Sequence, residues 1–456
     1  MIQQTITSRE RIKMNIENFF ILFIFIQPLL DITVYMGLQI SNPIRVLALL
    51  IGCLYIFFYS DKKNRWLCIG YFLVLGIFMA LHLVNNLSVK DPYFFSEELT
   101  YAVKSAYIAS MIVIYAAVFA SYKKNPRWSQ IVQKVITVNV FFIGLVMVLA
   151  TITDSGKRSY SMLAKSGHSG WFFSANEISA ILAMGFGIML LYTLGRREIW
   201  KKMVLLPLLF VSAWSMLTLG TKVGLLSLMG LLGVELILSL LELIFKRKNV
   251  VNVVILITLL ASASIYLPYS DVGNNLHITF SETKEPSQSQ NPTPSNGNTQ
   301  TGSKEDIKQG ETSNTLVKKA LSGRDFFFRT TLNDFKEAPL SQKLLGMGPG
   351  GNYEKRLKLI EMDFLDWFFS YGFVGFSLLI LPILFLGLAT IKNLFQNRFR
   401  QMDSTFIMVA IEVGLALGIS FLAGHIFLNP ASGIYFAILL SYLFVLSTER
   451  KKILVD

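Results

Sequence analysis

Long apolar runs separated by short polar ones dominate the 456-residue chain. A helix crossing a hydrocarbon core of about 30 Å needs roughly 20 mostly apolar residues. On that ruler the pattern predicts twelve spans, beginning near Phe19, Ile44, Trp66, Tyr101, Ile131, Asn176, Met203, Val223, Val250, Phe364, Thr405 and Ala431. The first is read as a true span, because no small-residue cleavage site follows Asp31 and the next apolar run comes at once. The expected fold class is an all-α polytopic membrane protein with about twelve transmembrane helices. Residues 1–269 would hold spans one to nine and residues 364–456 the last three with a cytoplasmic C-terminus. Between them, residues 270–363 would form a large extracellular loop carrying short helices.

That loop changes character along its length. Residues 281–314 are rich in Ser, Asn, Gln, Pro and Gly and nearly free of apolar side chains. Such a stretch cannot bury enough surface to offset its ordering entropy, so it is read as a disordered spacer. Residues 315–363 are read as an ordered cap. SGRDFFFRTTLNDFKEAPL predicts a short helix with Ser322 as N-cap and Phe328, Leu332 and Phe335 in one stripe. Pro339 stops it, and LLGMGPGG makes a tight loop. No internal repeat is visible, which leaves an inverted-repeat transporter without support.

Charge sets the sidedness. Arg9, Arg11 and Lys13 precede the first span, Lys62, Lys63 and Arg65 follow the second, and Lys123, Lys124 and Arg127 follow the fourth. Basic clusters also follow the sixth, eighth, tenth and last spans. Every even-numbered connection and both ends are thus basic, which places both termini in the cytoplasm. Only 16% of residues are charged while 53% are hydrophobic. Soluble domains carry about 25% charge, so a cytosolic enzyme is excluded. The net charge of +13 is spread between apolar runs and does not form one basic face, so no nucleic-acid partner is expected. Cys53 and Cys68 lie in apolar runs and carry no redox signal.

The informative charges are those that resist the rule. Arg45, Lys104, Lys157, Arg158, Lys165 and Lys222 fall in short outer segments, and the long loop adds Arg324 and Arg329. Together they could form an anion site suited to phosphate. Singly, Arg45, Lys104 and Lys165 are read as cations snorkelling to headgroups. Lys222 is read as functional, because LTLGTKVGLLSL confines it to a connection of about three residues. Asp31, Glu177, Glu235 and Glu412 lie within apolar runs, where a charge is costly and normally pairs or lines a pathway. For Glu235 a neutral acid or a helix-to-helix hydrogen bond is preferred over a proton relay. His168, Asn176 and Glu177, in SGHSGWFFSANEISA, are candidates for a substrate groove, although N-capping by Asn176 would also explain the polar pair. Four histidines without a spaced ligand set give no metal site, and no cofactor is expected.

These features resemble the O-antigen ligase and polymerase family, membrane glycosyltransferases of bacterial surface polysaccharides. SGWFFSANEISAILA is similar to the family's glycine-then-Asn segment opening the sixth span. LGTKVGLLSL is similar to its short outer turn, with Lys222 where the family usually has arginine. SGRDFFFRTTLNDFKEAPLSQKLLGMGPGG followed by YGFVG is similar to its order of arginine, proline, glycine loop and Gly-x-x-Gly. Many relatives carry a His-Asn pair about eleven residues before that Gly-x-x-Gly, the histidine being taken as the base. Here the same count reaches Glu361, with Asp363 two residues on. A partly desolvated carboxylate can play that role, although both acids would also suit the N-terminus of the tenth helix.

The resemblance implies inverting, metal-independent transfer of glycan from undecaprenyl pyrophosphate to a sugar hydroxyl at the outer membrane face. Glu361 or Asp363 would be the base, and Lys222, Arg324, Arg158 and Arg329 would hold the pyrophosphate. The expected role is a polymerase of capsule, exopolysaccharide or teichuronic-type glycan, with other polysaccharide-assembly proteins as partners. Ligase-like transfer to a terminal carrier is the alternative within the class. A transporter or flippase of polysaccharide intermediates, or a scaffold tethered by residues 281–314, are the alternatives outside it.

Overall fold

The computed structural model describes residues 7–160, 164–246, 250–281, 324–351 and 359–449. Beyond Ser281, the stretch expected to be a disordered spacer lies outside these residues, as does the expected cap Ser322. The regular elements are helices: α1 (Ser8–Phe25), α2 (Gln27–Tyr35), α3 (Ser41–Tyr59), α4 (Lys62–Val89), α5 (Phe95–Tyr122), α6 (Trp128–Ile152), α7 (Ala175–Leu194), α8 (Ile199–Thr218), α9 (Lys222–Lys246) and α10 (Val250–Tyr266). A 3-10 turn (Leu267–Tyr269) leads to α11 (Asp271–Ser281), and α12 (Arg324–Glu337) and α13 (Leu340–Leu345) precede the final spans. Those are α14 (Asp363–Gln396), α15 (Ser404–Leu422) and α16 (Pro430–Ser447).

Among the described residues eleven helices are long and apolar enough to cross a membrane, and the count is twelve when α1 and α2, bent by 47°, are taken as one broken span. The bend falls at Ile26, just before Pro28, whose missing N–H and ring bulk do not suit an unbroken helix. Burial sorts the spans. α7 and α16 are buried on nearly every face, as expected of helices apolar all round. By contrast α4 turns Trp66, Leu67, Leu73, Ile77, Val84 and Leu87 outward, a surface that only lipid would tolerate. Without a hydrophobic drive between helices in lipid, small residues and hydrogen bonds hold the bundle. Gly433 admits Ile108 between α16 and α5, and Asn139 of α6 donates to the Ile24 carbonyl and to the Tyr435 hydroxyl.

The short helices pack onto the start of α14. Phe328, Leu332 and Phe335 of α12 meet Phe368 and Phe369 in a satellite apolar cluster. α14 itself breaks at Gly372, which has φ +62° and ψ −169°. The break frees the carbonyls of Phe369 and Ser370, and the glycine loop takes them up: Met347 and Gly348 donate their N–H groups at 3.1 and 2.9 Å. A Cβ on Gly346 would lie 2.0 Å from the Ser370 carbonyl oxygen, and one on Gly372 would lie 2.5 Å from that of Lys343. The glycine loop and the Gly-x-x-Gly segment therefore form one interlocked unit, with Gly375 receiving the Phe78 ring of α4.

Candidate functional site

Two buried carboxylates one turn apart build the floor of the site. Asp363 is fully buried and accepts the backbone N–H groups of His425, Ile426 and Phe427 at 2.9, 2.8 and 2.9 Å. Asp366 accepts those of Ile360 and Met362 at 2.9 and 3.1 Å. The first clamps the link between α15 and α16, and the second clamps the approach to α14. Trp367 stacks on Phe427 with centroids 4.8 Å apart, fixing the link from below. Between the clamps, Glu361 and His425 adopt left-handed backbone at φ +64° and +73°. Such conformations cost about 1–3 kcal/mol each outside glycine and persist where surroundings enforce them. Gly424 is required between them, because a Cβ there would lie 2.6 Å from the Glu361 carbonyl oxygen.

The strained pair opens onto a cavity of about 490 Å³. Glu361, His425, Glu177, Lys104, Arg45 and Asn429 are among the residues that line it. Arg324 reaches Glu361 at 3.5 Å and donates to the Ala423 carbonyl at 3.3 Å, the same oxygen that His425 Nδ1 approaches at 3.0 Å. Arg45 is buried and bonds Asp31 at 2.7 Å and Ser41 at 2.7 Å. Asn429 caps α16 through the N–H of Ala431, and its side chain also reaches Glu177. Lys104 is different. It makes no hydrogen bond or ion pair among the described residues.

Two further spaces adjoin this cavity. A second lobe of about 470 Å³ shares Lys104, Leu359 and Leu428 with the first and continues past Tyr101, Glu97 and Glu98 to Pro349, Gly350 and Gly351. Its wall holds the buried Lys90–Glu98 ion pair, over which Gly348 passes so closely that a Cβ would lie 2.3 Å from Glu98 Oε2. A narrower groove of about 210 Å³ runs between α3 and α5, lined by Val46, Leu99, Val103 and Tyr107 and again by Arg45 and Lys104. Val46, Leu99 and Val103 are between 38 and 39% exposed on the outside of the bundle, so the groove continues onto the apolar flank. Lys104 lines all three spaces.

The residues expected from the sequence divide accordingly. Glu361, Arg324 and Glu177 come together at the cavity. Asp363 lies beneath it with its carboxylate consumed by backbone donors. Lys222 starts α9 as an exposed residue and lines none of these three spaces. Its turn is covered by the segment before α7 and by α11: Ser159 donates to the Leu219 carbonyl, and Tyr160 and, from α11, Asn275 both donate to that of Gly220. Arg158 is exposed in that covering segment and donates to the Lys165 carbonyl. Arg329 is exposed on α12.

His168 is fixed inside the same segment. Its Nδ1 accepts the Gly170 N–H, its Nε2 lies 2.9 Å from Thr151 Oγ1, and burial lowers its pKa from the ordinary value. Asn176 is not a cap. Ser174 holds the N-cap position, and Asn176 is exposed in the first turn. Four residues of the crevice were not expected there. Arg45 and Lys104 were read as snorkelling cations, yet one is buried in an ion pair and the other faces a shared cavity. His425 and Asn429 carried only a faint signal, the order Gly-His before an Asn-Pro helix start.

Comparison with family models matches residues 13–449 to the family described as O-antigen ligase like membrane protein. Comparison with curated proteins finds no match.

Proposed function

The chain belongs to the O-antigen ligase like membrane protein family, a multi-pass family linked to polysaccharide transfer, and on that footing we propose that it moves glycan from undecaprenyl pyrophosphate to a sugar hydroxyl. The observation that carries this reading is Lys104, a cation without a hydrogen bond or ion pair among the described residues, standing where two lobes lined by charged side chains and an apolar groove intersect. A lipid-linked pyrophosphate glycan has the matching three parts. The polyprenyl tail lies along Val46, Leu99 and Val103, the pyrophosphate lies at Lys104 and Arg45, and the first sugar sits in the lobe with Glu361. The acceptor sugar comes from the second lobe, whose Glu97, Thr100 and Tyr101 offer hydrogen-bonding groups.

In this mechanism the acceptor hydroxyl attacks the anomeric carbon as the bond to the pyrophosphate oxygen breaks. Glu361 accepts the hydroxyl proton, a role within reach of a carboxylate that lines the cavity. Asp363 positions the loop instead of taking the proton, since both its oxygens already hold backbone N–H groups. Lys104, Arg45 and Arg324 stabilise the charge that grows on the departing pyrophosphate. A single displacement inverts the anomeric centre, and the protein's cations supply the charge that a metal ion would otherwise bring. Lys222, Arg158 and Arg329 take no part in bond breaking. The acceptor is proposed to be a second lipid-linked repeat unit, making the protein a polymerase of surface polysaccharide with its crevice at the outer membrane face and both termini cytoplasmic.

Arg324→Ala tests the assignment in cells. The expected outcome is loss of polymer with accumulation of lipid-linked repeat units. Polymer of unchanged length and amount would refute the role given to this arginine.

A further inference from the structure

The other end of α7, about 30 Å from the crevice at 1.5 Å per residue, holds a cavity that the transfer reaction does not use. It has a volume of about 600 Å³ and is lined by residues of α7, α8, α9, α10 and α15. Two of its charged residues are anomalous. Glu235 is 5% exposed, and its Oε2 is buried with no hydrogen-bond partner among the described residues. Lys202 is also 5% exposed and donates to Asn252 Oδ1, a neutral acceptor.

Burying either charge without a counter-charge is costly. The two would cancel most of that cost by pairing, as Lys90 and Glu98 do at the other end of the bundle. They make no such pair, although both line the same void. Around them stand more polar groups: Ser239, Arg197 at the exposed rim, and Glu242, which fastens α9 to the start of α15 through Ser404 at 2.7 Å. One side of the space offers cationic donors and the other offers an acceptor that nothing among the described residues satisfies.

We propose that this cavity binds a phosphate ester that also carries a hydrogen-bond donor, with its phosphate on Lys202 and Arg197 and its hydroxyl or ammonium on Glu235. Lysine and arginine match phosphate as point charge and fork, and a buried carboxylate oxygen is satisfied by a donor from the same molecule. Two sources share this chemistry, a membrane phospholipid headgroup and a soluble phosphate ester. Glu235 stands about 20 Å along α9 from Lys222, so the ligand reaches well into the span.

The test is titration of the full chain in detergent with short-chain phosphatidylglycerol and, separately, with glycerol phosphate. Saturable binding of the lipid alone identifies a headgroup, and comparable binding of both identifies a soluble ester. Glu235→Gln and Lys202→Met are each expected to weaken binding roughly tenfold, the worth of one charge-assisted hydrogen bond. Arg197→Ala, at an exposed position, keeps the test open if Lys202→Met fails to fold, and it too should weaken binding. Lys104→Ala, at the opposite end, should leave this binding unchanged and so separates the cavity from the crevice. Absence of saturable binding by either probe overturns the proposal. So does binding that is indifferent to both Glu235→Gln and Arg197→Ala.

Discussion

The turn at Lys222 and the crevice at Glu361 are both built from glycine, backbone hydrogen bonds and cations, and they are put together in opposite ways. At the turn, Gly167 and Gly220 allow two chain segments to touch, and side chains of Ser159, Tyr160 and Asn275 satisfy the exposed carbonyls. Of its cations, Lys222 and Arg158 are exposed, while Lys165 lies over the Tyr160 ring and Lys157 over the Phe173 ring. At the crevice, buried carboxylates satisfy backbone N–H groups and thereby hold Glu361 and His425 in left-handed conformations. There Arg45 is buried against Asp31, Arg324 pairs with Glu361, and Lys104 lines the void. The difference teaches that confinement of a charge is set by what covers it, and not by how short its loop is. A strained backbone held by buried acids is a device for presenting side chains, whereas a satisfied turn is a device for closing the fold.

The contrast can be broken most sharply at Lys104. Lys104→Met keeps length and removes charge, and is expected to lower the transfer rate by about 10²–10³, as loss of one preorganised electrostatic contact does. Measurement of initial rates at saturating donor would check it, and a change under threefold would detach the crevice from the chemistry. The matching change at the turn, Lys222→Ala, is expected to leave the rate within about threefold of wild type, because an exposed cation is screened by solvent. A collapse of activity there would invert the comparison.

The smallest effect concerns His168. Burial holds its imidazole below the ordinary value, with Asp271 opposing, while the unfolded chain takes up its proton near 6.5. The unfolded state therefore binds more protons as pH falls, so the stability tied to neutral His168 is full above about pH 7 and is lost toward pH 5. Protonating Nδ1 also removes the acceptor of the Gly170 N–H. His168→Asn is expected to flatten the decline of Tm over that window, with transfer at neutral pH little changed. A steeper decline would show that the site titrates the other way.

Much of the scaffold could be read from the chain because it rests on length and hydropathy. The spans need about 20 apolar residues each, and few sequences satisfy that by accident. The glycines of LLGMGPGG and YGFVG stood out as motifs, yet their contact could not be read, since Gly346 and Gly372 meet only once α14 breaks. Glu361 and Asp363 were inseparable in sequence, being two residues apart. Only the fold turns one toward the cavity and buries the other among N–H groups. Lys104 and Arg45 were misjudged for a related reason. Arg45 lies just over one turn into α3 and Lys104 between two and three turns into α5, and whether such a side chain meets lipid headgroups or a cavity depends on its neighbours in space. For Glu235 a helix-to-helix hydrogen bond was among the preferred readings, and its Oε2 has none among the described residues, whereas Glu412 does accept the N–H of Ile188 across two helices.

Glu361 carries the central claim, and the most direct measurement compares Glu361→Gln with Asp363→Asn in proteoliposomes supplied with a polyprenyl-pyrophosphate repeat unit. The account predicts that the glutamine variant keeps the thermal stability of the parent and binds donor but transfers at least 10²-fold more slowly. The asparagine variant is predicted to lose thermal stability along with activity, since three backbone donors lose half their acceptor. Chain growth at the parental rate by Glu361→Gln would contradict the account outright.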